Sequence, residues 1–354
     1  MIPKVFVTGA TGYIGGDALH VLYNAHPEYS YSALVRSSTK GAPVAAAYPS
    51  VRLVYGDLDN SALLEEEASK ADIVLHTADS SDHEIAARAI AKGMAAGHTK
   101  TNPGFWLHTS GTGILMWKDE DAKRYGEAPQ KGESYDDWEG VERLTSLPDG
   151  AFHRNVDKVV LEAGTRHADS VKTTIVCPPT IYGIGRGPVS NRSKQVPTLI
   201  KHSLERKKAI QLGAGKTEWN NVHIKDLSQL YLLLVEAAVA KNLDPELWGP
   251  KGYILAENGM HVWGQLAKQV AVAAHKAGYL PTDEPETLSP NAASEIAGLQ
   301  ALTWGLNSRG TALRARKVLG WTPKEPSLEL CIPDAVEVEA KRAGISKGHA
   351  AKFA

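Results

Sequence analysis

An apolar run, Val5-Phe6-Val7, ends at once in Thr8-Gly9-Ala10-Thr11-Gly12-Tyr13-Ile14-Gly15-Gly16, and Asp17-Ala18-Leu19-His20-Val21-Leu22 then continues with helical character. A buried strand that runs into a glycine-rich turn and straight into a helix narrows the choice of fold sharply. Glycines at 9, 12 and 15 let the backbone come close to a pyrophosphate. The helix behind them offers unpaired N–H groups and the positive end of its dipole. The spacing is G-x-x-G-x-x-G rather than G-x-G-x-x-G, and its weight comes from its place after a first strand. Gly9, Thr11, Gly12, Tyr13, Ile14 and Gly15 are the expected phosphate cradle.

Apolar, β-branched runs then alternate with helical stretches. The pattern predicts strands at Lys4–Thr8, Tyr31–Val35, Val51–Tyr55, Ile73–His76, Phe105–Thr109 and Lys172–Cys177. Helices are expected at Ile14–Asn24, Ser61–Lys70, His83–Ala96 and Ala151–His167. Such alternation implies an α/β fold with a doubly wound parallel sheet covered on both faces. A Rossmann domain is expected over residues 1–182, with a charged insertion at 117–150 that reads as a substrate wall, a lid or a solvated excursion. A smaller substrate lobe is expected over 183–354, with 210–241 returning to the main sheet. Gly213-Ala214-Gly215-Lys216-Thr217 mimics the end of a P-loop, but position 210 is Ile where that motif needs glycine, so a β-turn is the expected structure.

The net charge of −1 over 354 residues provides no field that would favour nucleic acid or an anionic membrane. Two cysteines, Cys177 and Cys331, form no disulfide framework, and the 13 histidines show no metal-binding spacing. No apolar run approaches the ~20 residues a membrane span needs. A cytoplasmic protein with no metal, acting on a small molecule, is the expectation.

The second strand ends Ala33-Leu34-Val35-Arg36-Ser37-Ser38-Thr39-Lys40. An NAD-preferring site usually has Asp or Glu there for the ribose 2′-hydroxyl, and none is present. Arg36 is placed to pair with a 2′-phosphate, and Ser37 and Lys40 add donors. This favours NADP(H) over NAD(H).

Several further segments, in order along nearly the whole chain, resemble the extended short-chain dehydrogenase/reductase family, which includes nucleotide-sugar epimerases and dehydratases. They are Thr8-Gly9-Ala10-Thr11-Gly12-Tyr13-Ile14-Gly15, Gly56-Asp57-Leu58, His76-Thr77-Ala78, Thr109-Ser110, Lys158-Val159-Val160-Leu161-Glu162, Pro179-Thr180-Ile181-Tyr182-Gly183, Trp219–Leu227 and Leu319-Gly320-Trp321-Thr322-Pro323. The resemblance implies that Asp57 and Leu58 touch the adenine and that Thr77 and Ala78 lie along the cofactor. It also implies that Pro179, Thr180 and Ile181 form the turn after the sixth strand, that Ser110 polarises the substrate, and that Lys158 binds the nicotinamide ribose. A homodimer through the helices flanking the active-site helix is implied by analogy.

The chain departs from the family at its Tyr-x-x-x-Lys motif. Arg154 stands four residues before Lys158, and no tyrosine in the chain has a lysine four positions later. Arginine releases no proton in proteins, so another group must move it. His153, with an ordinary pKa near 6.5, and Tyr135 in the insertion are the two alternatives. On an ideal helix His153 points about 140° away from Lys158, and Asp157 is expected to point elsewhere than the site.

Three functions fit these residues. One is an NADP(H)-dependent oxidoreductase of the carbonyl reductase or alcohol dehydrogenase type with a non-standard proton donor. The second is a non-catalytic NADP(H)-binding sensor. The third is a nucleotide-sugar epimerase or dehydratase, with Arg186, Arg192 and Lys194 available for a diphosphate.

Overall fold

The computed structural model describes residues 2–347. Seven parallel strands form the main sheet: β1 (Lys4–Thr8), β2 (Ser30–Val35), β3 (Arg52–Tyr55), β4 (Ile73–His76), β5 (Gly104–Thr109), β6 (Val171–Cys177) and β7 (Tyr253–Leu255). Their spatial order is β7-β6-β5-β4-β1-β2-β3. The order reverses between β1 and β4, and ligands of open α/β sheets bind at such a point. All residues of β4 and β5 are buried, as strands covered on both faces must be.

Helices α1 (Tyr13–Ala25), α2 (Ser38–Ala47), α3 (Ser61–Lys70), α4 (Glu84–Gly97) and α5 (Arg154–Arg166) connect the strands. Helices α3, α4 and α5 pack side by side on one face. The α3–α4 contact is close because Gly93 and Gly97 present no Cβ to the Glu65 and Ser69 backbone. Helix α2 occupies a stretch whose polar start, Arg36-Ser37-Ser38-Thr39-Lys40, reads as a loop by composition. It starts where Ser37 Oγ accepts the Lys40 N–H, and such N-cap bonding explains how so polar a stretch begins a helix.

Beyond β6 the chain builds α6 (Gln195–Glu205), α7 (Ile224–Val239), α8 (Trp263–Lys276) and α9 (Leu328–Arg342). Strand Glu218–His223 pairs parallel with Thr180–Tyr182 and antiparallel with Met260–Val262. Helix α7 lies against α1, and its Tyr231 hydroxyl is bonded to Thr109 at 2.6 Å. The segment that joins the main sheet is therefore β7, outside 210–241, while α7 covers the sheet face. A second apolar core, including Leu199, Ile210, Trp263, Trp304 and Ile332, fills the smaller lobe. Strand Ile210–Leu212 ends in a turn with positive φ at Gly213 and Gly215, and Lys216-Thr217 precede a strand rather than the helix of a P-loop.

The insertion is ordered by polar ties. Asp137 is fully buried, and its carboxylate accepts the N–H groups of Leu255 (2.9 Å), Leu313 (2.7 Å) and Arg314 (2.9 Å). Strand Tyr135–Asp136 pairs with Gly310–Thr311. One side chain thus joins the insertion, β7 and a C-terminal segment. Asp137→Ala leaves three N–H groups, two of them buried, without that acceptor, at about 1–3 kcal/mol for each buried one left unmade. Denaturant unfolding of the variant should show a loss of about 3 kcal/mol or more by the same reasoning.

Candidate functional site

The glycine turn is shaped by steric exclusion. Gly9 has φ +83°, and a Cβ there would lie 2.5 Å from Thr77 Oγ1 and 2.9 Å from the Ala78 nitrogen. A Cβ on Gly15 would collide with Thr77 Oγ1 and with the Gly9 carbonyl. Gly12 is the N-cap of α1 and brings no side chain to it, so the first-turn N–H groups stay open at the switch point. Thr77 Oγ1 donates to the Thr8 carbonyl (2.6 Å), while the Thr77 and Ala78 N–H groups donate to Thr8 Oγ1. Tyr13 donates to the Tyr182 and Gly183 carbonyls and ties the cradle to the smaller lobe. An open helix start behind glycines that admit no side chain fits a dinucleotide pyrophosphate.

At the outer end of the crevice Arg36 is exposed just beyond β2, and Lys40 is exposed in the first turn of α2. The Ser37 hydroxyl is engaged as the cap of that helix. Asp57 is exposed after β3 and accepts the Asp59 N–H, with Leu58 beside it half-buried. Thr11 lies in the glycine turn and Ile14 in the first turn of α1, both half-buried. Pro179, Thr180 and Ile181 follow Pro178, whose carbonyl accepts the Thr112 N–H at 3.0 Å; this brings the turn after β6 beside the turn after β5.

Ser110 directly follows β5, its N–H bonded to the Val176 carbonyl. His153 stands over the next residues. A Cβ on Gly111 or on Gly113 would lie 3.4 Å from its Nε2. Its Nδ1 is 2.7 Å from Asp82 Oδ1, in the loop that follows β4. Burial is the largest influence on Asp82 and works against its charge, but the hydrogen bond and charge of His153 together with Ser81 and Lys194 hold the carboxyl below its usual range. The imidazole of His153 also packs against exposed Phe152, with ring centroids 3.8 Å apart and the planes tilted by 37°.

The start of α5 decides which side chains reach this place. His153 is its N-cap, in the left-handed region at φ +68°, and its carbonyl accepts the Val156 and Asp157 N–H groups. Val156, Asp157, Val160, Ala163 and Gly164 are buried, whereas Asn155, Lys158, Glu162 and Thr165 are exposed. Lys158 is turned outward, half-exposed, with Nζ 2.8 Å from Asp149. The structure therefore corrects two expectations. Lys158 lies on the exposed face of α5 and not on the inner face that the nicotinamide-ribose role requires, and Asp157 faces inward, because the apolar stripe of α5 sets its rotation. Arg154 is buried and donates to the Thr145 carbonyl in the insertion. Tyr135 is buried, accepts the Trp117 indole N–H and lies under the Arg143 guanidinium, so it anchors the insertion.

Asp157, Asp82, Tyr253 and Cys177 were not singled out from sequence for the site. The period of Val156, Val160 and Ala163 already places Asp157 inside, and that signal was available. Asp82 and Tyr253 reach the site only through the sheet order. Of the three cations considered for a diphosphate, Arg186 is held by fully buried Asp17, which also accepts from Ser228. Arg192 is bonded to both oxygens of buried Glu339. Lys194 is exposed.

Residues 4–98 match the model of the semialdehyde dehydrogenase NAD-binding domain, and residues 151–244 match that of the NAD-dependent epimerase/dehydratase family. An oxidase from Acremonium sp., UcsJ, is 39% identical over 352 residues, covering 98% of this chain and 100% of that protein. The fold is similar to that of dTDP-glucose 4,6-dehydratase DesIV from Streptomyces venezuelae with NAD bound, at TM-score 0.66 and 15% identity, covering 96% of this chain and 98% of the other. It is also similar to UDP-glucose 4-epimerase from Thermotoga maritima, at TM-score 0.63 and 16% identity, with 96% and 99% covered. No helix among the described residues is long and apolar enough to cross a membrane.

The cradle can be tested by itself. Gly9→Ala forces a left-handed alanine against Thr77, a strain of order 1–3 kcal/mol at such positions. Fluorescence titration should show NADPH and NADH both binding at least ~10-fold more weakly, as a loss of about 1.4 kcal/mol implies.

Proposed function

The chain belongs to the extended short-chain dehydrogenase/reductase family, in its NAD-dependent epimerase/dehydratase group, and on that premise we propose that it is an NADP(H)-dependent oxidoreductase interconverting an alcohol and a carbonyl group on a small organic substrate. The observation that carries this reading is the Asp82–His153 pair beside Ser110, with Nδ1 2.7 Å from the carboxylate and Nε2 turned to the Gly111–Gly113 turn. A histidine so held has one nitrogen fixed as a donor to Asp82 and the other left for a substrate proton.

When bound, the nicotinamide supplies or accepts the hydride. Gly9, Gly12 and Gly15 with the start of α1 would hold its pyrophosphate, and Arg36 with the start of α2 its 2′-phosphate. Ser110 Oγ donates a hydrogen bond to the substrate oxygen. In reduction His153 Nε2 delivers the proton that turns this oxygen into a hydroxyl, and in oxidation it removes that proton. Asp82, although exposed, fixes the ring and stabilises the imidazolium in either direction, the role a carboxylate plays toward an active-site histidine. The name of the Acremonium relative, an oxidase, supports the oxidative direction. Phe152 offers an apolar wall to the substrate.

The nucleotide-sugar reading has less support in the side chains. Arg186 and Arg192 are already paired with buried carboxylates, so freeing them for a diphosphate means breaking those pairs at considerable cost.

NADPH- and NADH-linked turnover across a panel of alcohols, aldehydes, ketones and enones tests the assignment. His153→Gln should lower kcat by about 10²–10⁴, the usual worth of a positioned acid or base. Lys158→Ala should leave it within about threefold, as expected for an exposed ion pair. Full activity in His153→Gln would overturn the proposed proton donor. Tight cofactor binding with no turnover on any compound would favour the sensor instead. Arg36→Ala should weaken NADPH binding by about tenfold or more with NADH unchanged, since a guanidinium–phosphate hydrogen bond is charge-assisted. Equal weakening of both would disprove a 2′-phosphate site.

A further inference from the structure

A buried acid stands close to the place a pyrophosphate would take. Asp17 is the fifth residue of α1 and is fully buried. Helical rise puts its Cα about 7.5 Å along the axis from Gly12, and helical side chains lean back toward the N-terminus. An uncompensated carboxylate there opposes both the positive end of the helix and an anionic ligand. The first turn of α1 holds no acid, so Asp17 is the negative charge on this helix nearest the cradle.

The smaller lobe compensates it. Arg186 lies in the segment that follows Thr180–Tyr182. Its backbone N–H and its Nε donate to Asp17 Oδ2 at 2.6 and 3.2 Å, and its Nη2 donates to Oδ1 at 2.6 Å. The Ser228 hydroxyl of α7 donates to Oδ1 at 2.6 Å. Burial is the largest influence on Asp17 and opposes its charge, but the bonds from Arg186 and Ser228, with the Arg186 charge, hold the carboxyl below its usual range. Neighbouring contacts fix the pair in place. A Cβ on Gly187 would lie 2.9 Å from the Gly16 Cα, and a Cβ on Gly16 would lie 3.2 Å from the Gly187 Cα. The two backbones therefore meet where neither residue has a side chain. One turn earlier, Tyr13 donates to the Tyr182 and Gly183 carbonyls at 3.0 and 2.7 Å.

Resting on the reading of the glycine turn as a pyrophosphate site, we propose that Arg186 is a positioning residue for the cofactor. Supplied by the smaller lobe, it cancels the charge of Asp17 and keeps the start of α1 positive toward the pyrophosphate. Cofactor affinity then depends on this lobe as well as on the glycines. Arg186 acts through Asp17, which leaves the first-turn N–H groups of α1 free for the ligand.

Fluorescence titration of the full-length protein with NADPH and NADH at pH 8 tests this by sign. Arg186→Met leaves the Asp17 charge unopposed. Both cofactors should then bind about tenfold more weakly or worse, the effect of a unit charge about 7–8 Å away at an effective dielectric constant of about 20. Asp17→Asn keeps the shape and removes the negative charge, so both should bind about threefold more tightly or better by the same Coulomb reasoning. With both substitutions together the charges balance again, and affinity should return to within about threefold of wild type, since coupled sites do not add. Stability should move against affinity. Asp17→Asn loses charge-assisted hydrogen bonds and should unfold at a lower temperature while it binds more tightly. A pair with a structural role alone would lose both together. Asp17→Asn binding NADPH no more tightly than wild type, or Arg186→Met binding it as well as wild type, would overturn the proposal. Gly9→Ala separates this from the reading it rests on. If that variant weakens binding and the charge variants do not behave as stated, the cradle stands and the role of Arg186 falls. Wild type that binds neither cofactor would remove both.

Discussion

The close approach of β1 and β4 at their carboxyl ends is the constraint on which the rest of the structure depends. Thr77 reaches the Thr8 carbonyl at 2.6 Å, directly where a Cβ on Gly9 would have to go. That contact needs glycine at position 9, and Gly15 is excluded from a side chain by the same threonine. The first turn of α1 is left bare as a result. A phosphate cradle is what remains when two strands meet this closely and no side chain fills the gap.

The chemistry next to that cradle turns on the rotation of α5. A left-handed His153 starts the helix one residue before Arg154, and the apolar stripe of the helix then sets which side chains face the sheet. His153 and Asp157, four residues apart, end up toward Ser110, while Lys158 is in solvent beside Asp149. A left-handed non-glycine residue is strained, and here it coincides with the histidine held by Asp82.

Much of this was legible in the chain itself. Alternating apolar runs and helical stretches placed six of the seven parallel strands, and the glycine turn located the dinucleotide crevice. Helix α2 was missed because Ser and Thr count against helix by composition, although Ser37 is its cap. The seventh strand was missed because Tyr253-Ile254-Leu255 is three residues long and recruited from a distant part of the chain. The resemblance at Lys158 implies one rotation of α5 and the apolar period of Val156, Val160 and Ala163 implies another, and the packed helix follows the period.

By itself the sequence determined the α/β class, the strand–turn–helix whose open N–H groups fit a pyrophosphate, and the lack of an acid after β2, because these depend on neighbours within a few residues. Tertiary structure decided which titratable groups meet. Asp82 reaches His153 across 71 residues and Tyr253 reaches Asp157 across 96, distances over which no local periodicity carries information. Burial added the rest, because only the packed interior removes water from Asp157 and pushes its pKa up.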